Sequence, residues 1–257
     1  MAYEHIDLHV GPTFARLTLD RPDRRNALSL ALMREMLDAL DAIADSPAPV
    51  AVIDGNGPAF SAGHDLAEID TTRDEVFYEE LFAACAALMT RLHTIPQPVI
   101  AKVHGVATAA GCQLVAACDL AVAADDARFA TPGVNIGLFC STPMVPLSRT
   151  IPRKRVLEML FTGEMIDAAT AAEWGLVNRV VPPAELENAV FELAARIARA
   201  SAPVLALGKR AFYEQEGTDE RAAYGLACAV MVENALIDDA HEGIRAFLEK
   251  RKPVWPT

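Results

Sequence analysis

Residues 98–114 read PVIAKVHGVATAAGCQL. The first six are almost wholly apolar and rich in β-branched side chains, the pattern of a strand buried on both faces. A loop of small residues, His104 to Gln113, follows directly, and an apolar helix is expected from about Ala110. Strand, glycine-containing loop and helix in that order form the unit of an α/β fold. The unit occurs once before. Residues 49–53 read as a buried strand, Gly55-Asn56-Gly57 breaks it, and GPAFSAGHDL (57–66) forms a second small-residue loop.

Outward from this pair, two short strands open the chain at 6–10 and 14–19, and a turn-rich stretch occupies 20–25. Ser29 then reads as a helix N-cap, followed by the apolar stripe Met33, Met36, Leu37 and Leu40. Residues 119–124 form a further strand. From Pro183 onward the pattern is purely helical, at 185–200, 203–214, 221–237 and 241–251. The expected division is a core over residues 1–200 and a C-terminal helical region over 201–257. Periodicity places the chain in the α/β class and leaves open a doubly wound sheet or a spiral of ββα units.

The 257 residues are 52% hydrophobic and 23% charged, enough to bury a substantial core. The formal net charge of −12 argues against general nucleic-acid binding, which needs clustered Lys and Arg. The five cysteines, Cys85, Cys112, Cys118, Cys140 and Cys228, include no CxxC pair. No disulfide framework or metal site is expected, and a reducing cytoplasm fits. The opening MAYEHIDLHV has neither the basic nor the apolar segment of a signal peptide. The apolar uncharged run 105–118 is too short to span a bilayer, so no membrane association is expected.

The two loops carry the chemistry. Small residues let a backbone approach a ligand closely, and loops that lead into helix N-termini present free N–H groups. Two such loops side by side could aim two donors at one oxygen, an oxyanion hole. Either loop alone would more simply be a tight turn packed with small residues.

Five ordered motifs resemble the crotonase (enoyl-CoA hydratase/isomerase) superfamily. They are LTLDRPDRRNALS (17–29), GNGPAFSAGHDL (55–66), KVHGVATAAGCQLVAACDLAVAADDARFATPGVNIGL (102–138), LFTGEMIDAATAAEWGLVNRVVP (160–182) and AFLEKRKPVW (246–255). The string GVNIGLFCSTP (133–143) further resembles the enoyl-CoA hydratase domain-containing protein 3 branch. The resemblance implies a spiral of ββα units with a C-terminal helical trimerisation region, and a homotrimer or homohexamer. It implies an acyl-CoA ligand, with no separate cofactor because coenzyme A is part of the thioester. By motif position, the backbone N–H groups of His64 and Ala110 form the oxyanion hole. Arg24, Arg25, Ala27, Ala62, Asp65 and Leu66 fall along the nucleotide and pantetheine path. Phe247 and Lys250 match residues that reach an adenine pocket, often a neighbouring subunit's; helix packing and a solvated terminal lysine are the simpler readings.

The pattern breaks where hydratases of the superfamily place two glutamates. Gln113 stands at the first position and Gly133 at the second. Gln cannot titrate and Gly has no side chain, and each lost acid/base group is worth roughly 10²–10⁴ in rate. His64 is then the best titratable substitute, with Cys140 a weaker one; Asn135 and Thr142 could line the acyl pocket. Three functions follow: oxyanion-stabilised enolate chemistry on acyl-CoA with doubtful hydratase efficiency, base-free decarboxylation of a malonyl-type thioester, or non-catalytic acyl-CoA binding.

Overall fold

The computed structural model describes residues 3–256. Its strands are β1 (Ile6–Val10), β2 (Ala15–Leu19), β3 (Ala51–Gly55), β4 (Val99–Val103), β5 (Val106–Thr108), β6 (Leu120–Ala124), β7 (Arg128–Ala130), β8 (Ile166–Asp167) and β9 (Arg179–Val181). Its helices are α1 (Leu30–Ala44), α2 (Leu66–Thr72), α3 (Glu75–Thr94), α4 (Ala110–Ala117), α5 (Met144–Thr150), α6 (Arg153–Thr162), α7 (Ala168–Trp174), α8 (Leu186–Ile197), α9 (Ala202–Gln215), α10 (Glu220–Leu236) and α11 (Asp238–Leu248).

Six strands form the main sheet in the order β1-β2-β3-β4-β6-β9, and β5-β7-β8 form a second sheet. Only the β1–β2 hairpin of the main sheet is antiparallel. Parallel strands are covered on both faces, and β3 shows the result. Ala51 and Ile53 pack into the larger core with Leu32, Met36 and Leu40 of α1 and Leu88 of α3. The alternate residues Val50 and Val52 pack with Leu186 and Val190 of α8. The chain leaves the main sheet after β4 for the small sheet at β5 and returns at β6, so the spiral of ββα units holds and the doubly wound alternative does not.

Local capping sets the helix starts. The Ser29 hydroxyl accepts from the Leu32 N–H at 3.2 Å, as its position ahead of the apolar stripe predicts. Asp65 and Asp74 cap α2 and α3 in the same way.

α9 is tied to the core by a buried polar cluster. Lys209 Nζ lies 2.7 Å from Asp119 Oδ2 and donates to the carbonyls of Leu92 and Gln97. Tyr213 Oη donates to the other Asp119 oxygen at 2.7 Å, and its ring stacks on His93 at 4.0 Å between centroids. Beyond this tie the C-terminal helices expose an apolar series that includes Phe212, Tyr224, Met231, Val232 and Leu236.

Candidate active site

Asn26 pins the first loop to the turn at 21–27, and two glycines bring that loop against the second. Asn26 is fully buried and sits in the left-handed region at φ 53°. Its Nδ2 donates to the carbonyls of Asn56 and Ala59, its Oδ1 accepts from the Arg21 N–H, and its own carbonyl accepts from the Ser61 hydroxyl. Gly63, at φ 92°, lies against the second loop: a β-carbon there would be 2.8 Å from the Ala109 β-carbon and 3.2 Å from the Ala110 nitrogen. A β-carbon on Gly111 would be 2.2 Å from the Ser61 carbonyl oxygen. Single parallel bridges, Leu28 to His64 and Ser61 to Ala107, complete the contact.

Ala109 precedes α4 at φ 51°, ψ −118°, a region that strains any residue with a β-carbon. That turn sets the direction of the Ala110 N–H. Among the described residues, neither the His64 nor the Ala110 main-chain N–H has a hydrogen-bond partner. Unpaired main-chain donors in such a place are rare.

A cavity of about 370 Å³ opens on both. Ala62, His64 and Leu66 line one side, Ala109 and Ala110 another, and Phe82 of α3 contributes a wall. The rest comes from the segment before α5, including Gly133, Asn135, Leu138, Phe139, Cys140 and Thr142. No carboxylate is among the lining residues, and His64 and Cys140 are the titratable ones.

The His64 ring has Nδ1 3.3 Å from the Leu28 carbonyl oxygen, an edge-on contact with Phe82 at 5.5 Å, and a buried Nε2 with no partner. Burial lowers its pKa, and the Leu28 carbonyl opposes this by less. Burial raises the Cys140 thiol pKa, so it is not a poised thiolate.

The structure sorts the remaining sequence candidates. Asn135 and Thr142 line the cavity as expected. Gln113 does not: it is buried in α4, and its Oε1 accepts from the Cys85 thiol at 3.7 Å. Gly133 lines the wall, but the direction a side chain would take is filled by the chain itself. Asp65 is turned to Arg21, Oδ2 to Nη2 at 3.0 Å, and the buried Ala27 offers its carbonyl to the same guanidinium. Arg24 and Arg25 are exposed and, among the described residues, have no ion-pair partner. Phe247 is 82% exposed, so helix packing does not account for it in this chain; neither it nor Lys250 lines the cavity. Sequence reading passed over Asn26 and Phe82. Asn26 had a signal, a short polar side chain between a turn and a helix cap, whereas Phe82 is one apolar residue in a long helix.

Comparison with known proteins agrees with this geometry. The mouse protein named enoyl-CoA hydratase domain-containing protein 3, mitochondrial, is 49% identical over 240 residues, 93% of this chain and 80% of its own. The crystal structure of the human enoyl-CoA hydratase domain-containing protein 3 is 47% identical with a TM-score of 0.95, covering 98% of this chain and 100% of the other. An enoyl-CoA hydratase structure from Mycobacterium smegmatis is 45% identical with a TM-score of 0.96, covering 99% and 100%. The resemblance to the domain-containing protein 3 branch therefore holds. The expected cytoplasmic location does not: the mouse, human and rat relatives carry "mitochondrial" in their names. Reduced cysteines fit any reducing compartment, so they never pointed to one in particular. The sequence model of the family described as enoyl-CoA hydratase/isomerase matches residues 11–257, and with the paired loops, the spiral and these relatives it makes the chain a member of that family, within the crotonase superfamily.

Proposed function

We propose that this chain binds an acyl-CoA thioester in the cavity and polarises its carbonyl through the main-chain N–H groups of His64 and Ala110, so that an enolate can form at the α-carbon. The observation that carries this is the pair of unpaired N–H groups from two abutting loops, both opening on the cavity. Each preorganised donor contributes roughly 10²–10³ in rate to such an oxyanion. Leu66 and Ala62 form the edge along which the pantetheine arm would enter, and the free guanidinium groups of Arg24 and Arg25 suit its phosphates.

Efficient hydration of an enoyl thioester is not part of the proposal, since no carboxylate lines the cavity. The same fact favours one second reading, decarboxylation of a malonyl-type thioester. Loss of CO2 creates the enolate without a base, and the substrate carboxylate would meet no like charge.

The assembly we propose is a homotrimer or a homohexamer built on residues 201–257. The apolar series on α9–α11 and an open groove of about 1120 Å³ lined by α3, α5, α9 and Glu233 of α10 support it. Phe247 and Lys250 would then face a neighbouring copy's nucleotide site.

The test is binding of a conjugated enoyl-CoA, read by calorimetry and by absorbance. Carbonyl polarisation shifts the chromophore to longer wavelength. Binding with a red shift is expected. Binding without a shift leaves only a thioester-binding protein, and no binding removes the proposal.

A further inference from the structure

We infer that the His64 imidazole is the proton-transfer group of this site, so that one residue supplies both an oxyanion donor from its backbone and the base from its side chain. The inference rests on the thioester reading above and goes beyond it by assigning the α-carbon proton.

Three observations carry it. Gln113, the residue at one lost carboxylate position, is turned to Cys85 and does not reach the cavity wall. Gly133, at the other, has no side chain and no room for one. Of the two titratable side chains that do line the cavity, Cys140 is held beside Gly133 as a buried thiol, which leaves His64.

The imidazole is arranged for the task. With Nδ1–H donating to the Leu28 carbonyl, the lone pair of the neutral ring is on Nε2. Nε2 is also the buried side-chain atom of the cavity wall that has no partner. An orphaned buried polar atom costs free energy unless something answers it. In the assigned role the ring keeps its 3.3 Å contact through Nδ1 and Nε2 meets the α-carbon of the bound thioester. Long hydrogen bonds of this kind commonly tighten when substrate binds. No charged group competes: the Asp65 carboxylate is paired with Arg21, and Cys140 across the cavity is a neutral thiol. Burial keeps the ring neutral near pH 7, the form that accepts a proton.

In the step assigned here, the Nε2 lone pair takes a proton from the α-carbon. The C–H electron pair moves into the thioester, and the carbonyl oxygen becomes the oxyanion held by the His64 and Ala110 N–H groups. The imidazolium then returns a proton to the α-carbon, so no oxidant or further reactant is needed.

The test is deuterium uptake at C2 of butanoyl-CoA in D2O, by mass spectrometry, beside calorimetric binding of the same thioester. The proteins are wild type, His64→Gln and His64→Ala, whose backbone N–H groups remain. The expected result is binding in all three and exchange reduced about 10²–10⁴-fold in both variants. Wild-type exchange should rise with pH and level off below the ordinary histidine value. Added imidazole should restore exchange in His64→Ala, which a merely structural role would not permit. Exchange unchanged in the variants, or absent from a wild type that binds, overturns the assignment of His64 and leaves the binding site standing. Failure of all three to bind overturns the thioester reading itself.

Discussion

A β-carbon on Gly133 would lie 1.9 Å from the carbonyl oxygen of Leu138 and 2.9 Å from the Cys140 sulfur. The Leu138 N–H donates to the Gly133 carbonyl at 2.9 Å, closing the turn that makes this contact. The turn fills the place a side chain would take, so a carboxylate does not fit there. Gly133→Glu should therefore yield no gain in crotonyl-CoA hydration and should lower stability by about 1–3 kcal/mol through overpacking. Absorbance assays and thermal unfolding read the two effects; a large hydratase gain would show that the turn opens readily.

Ala109 carries backbone strain at φ 51°, a cost of about 1–3 kcal/mol for a residue with a β-carbon. Ala109→Gly relieves it and adds flexibility to the unfolded chain, which offsets part of the gain. A net rise of about 1 kcal/mol is expected, with thioester binding kept. Denaturant unfolding would contradict this by showing a loss.

Asn26 anchors the first loop to the turn at 21–27. Asn26→Ala leaves the buried carbonyl of Ala59 without the amide donor and removes a side chain suited to positive φ. Each abandoned buried group costs about 1–3 kcal/mol, so a fall of at least 3 kcal/mol is expected. Because the first loop loses this anchor, acyl-CoA binding should weaken with it. Unfolding curves and calorimetry on one preparation test both.

Lys209 and Asp119 join α9 to the core at 2.7 Å, with little of either side chain exposed. Removing one partner of a buried pair costs about 3–5 kcal/mol because the other charge is stranded. Lys209→Ala should destabilise by about 3 kcal/mol and should dissociate any oligomer built on the C-terminal helices at a higher protein concentration than wild type. Sedimentation across a dilution series gives the second result.

Acid should weaken the fold in a defined window. His64 and His93 both have pKa values lowered from 6.5, in each case chiefly by burial. Below about pH 6.5 the unfolded chain takes up protons that the folded chain does not, so stability is complete above that value and declines as pH falls toward the lowered folded values. His64→Gln should flatten the part of the slope that belongs to this residue. Melting temperatures from pH 7.5 to 5 would show it, and a wild-type curve flat over that range would contradict the burial argument.

Most of the main sheet was legible because its strands are short apolar runs, so 98–103 and 119–124 announced themselves within a residue of β4 and β6, whereas the three residues of β9 did not. The small sheet was not: β5, β7 and β8 run three, three and two residues, too short for any period to register. The site was half legible. His64 and Ala110 were singled out by motif position in the family resemblance, and Asn135 and Thr142 by the string that holds them; all four line the cavity. Gln113 was assigned by motif position, yet its side chain meets a thiol 28 residues away in sequence and not the cavity, which no local pattern reports. Phe82 reaches the cavity only because α3 packs on α4.

The two donors facing the cavity are main-chain atoms, and that has a consequence for how this protein can be dissected or can drift. Replacing the side chains at positions 64 and 110 leaves both N–H groups in place, so a substitution at either position reads the side chain and never the donor. Only an amide-to-ester exchange in the peptide bond removes a donor while keeping the shape. By the same logic a lineage can exchange the side chains around the cavity, one after another, while the two main-chain donors are inherited untouched.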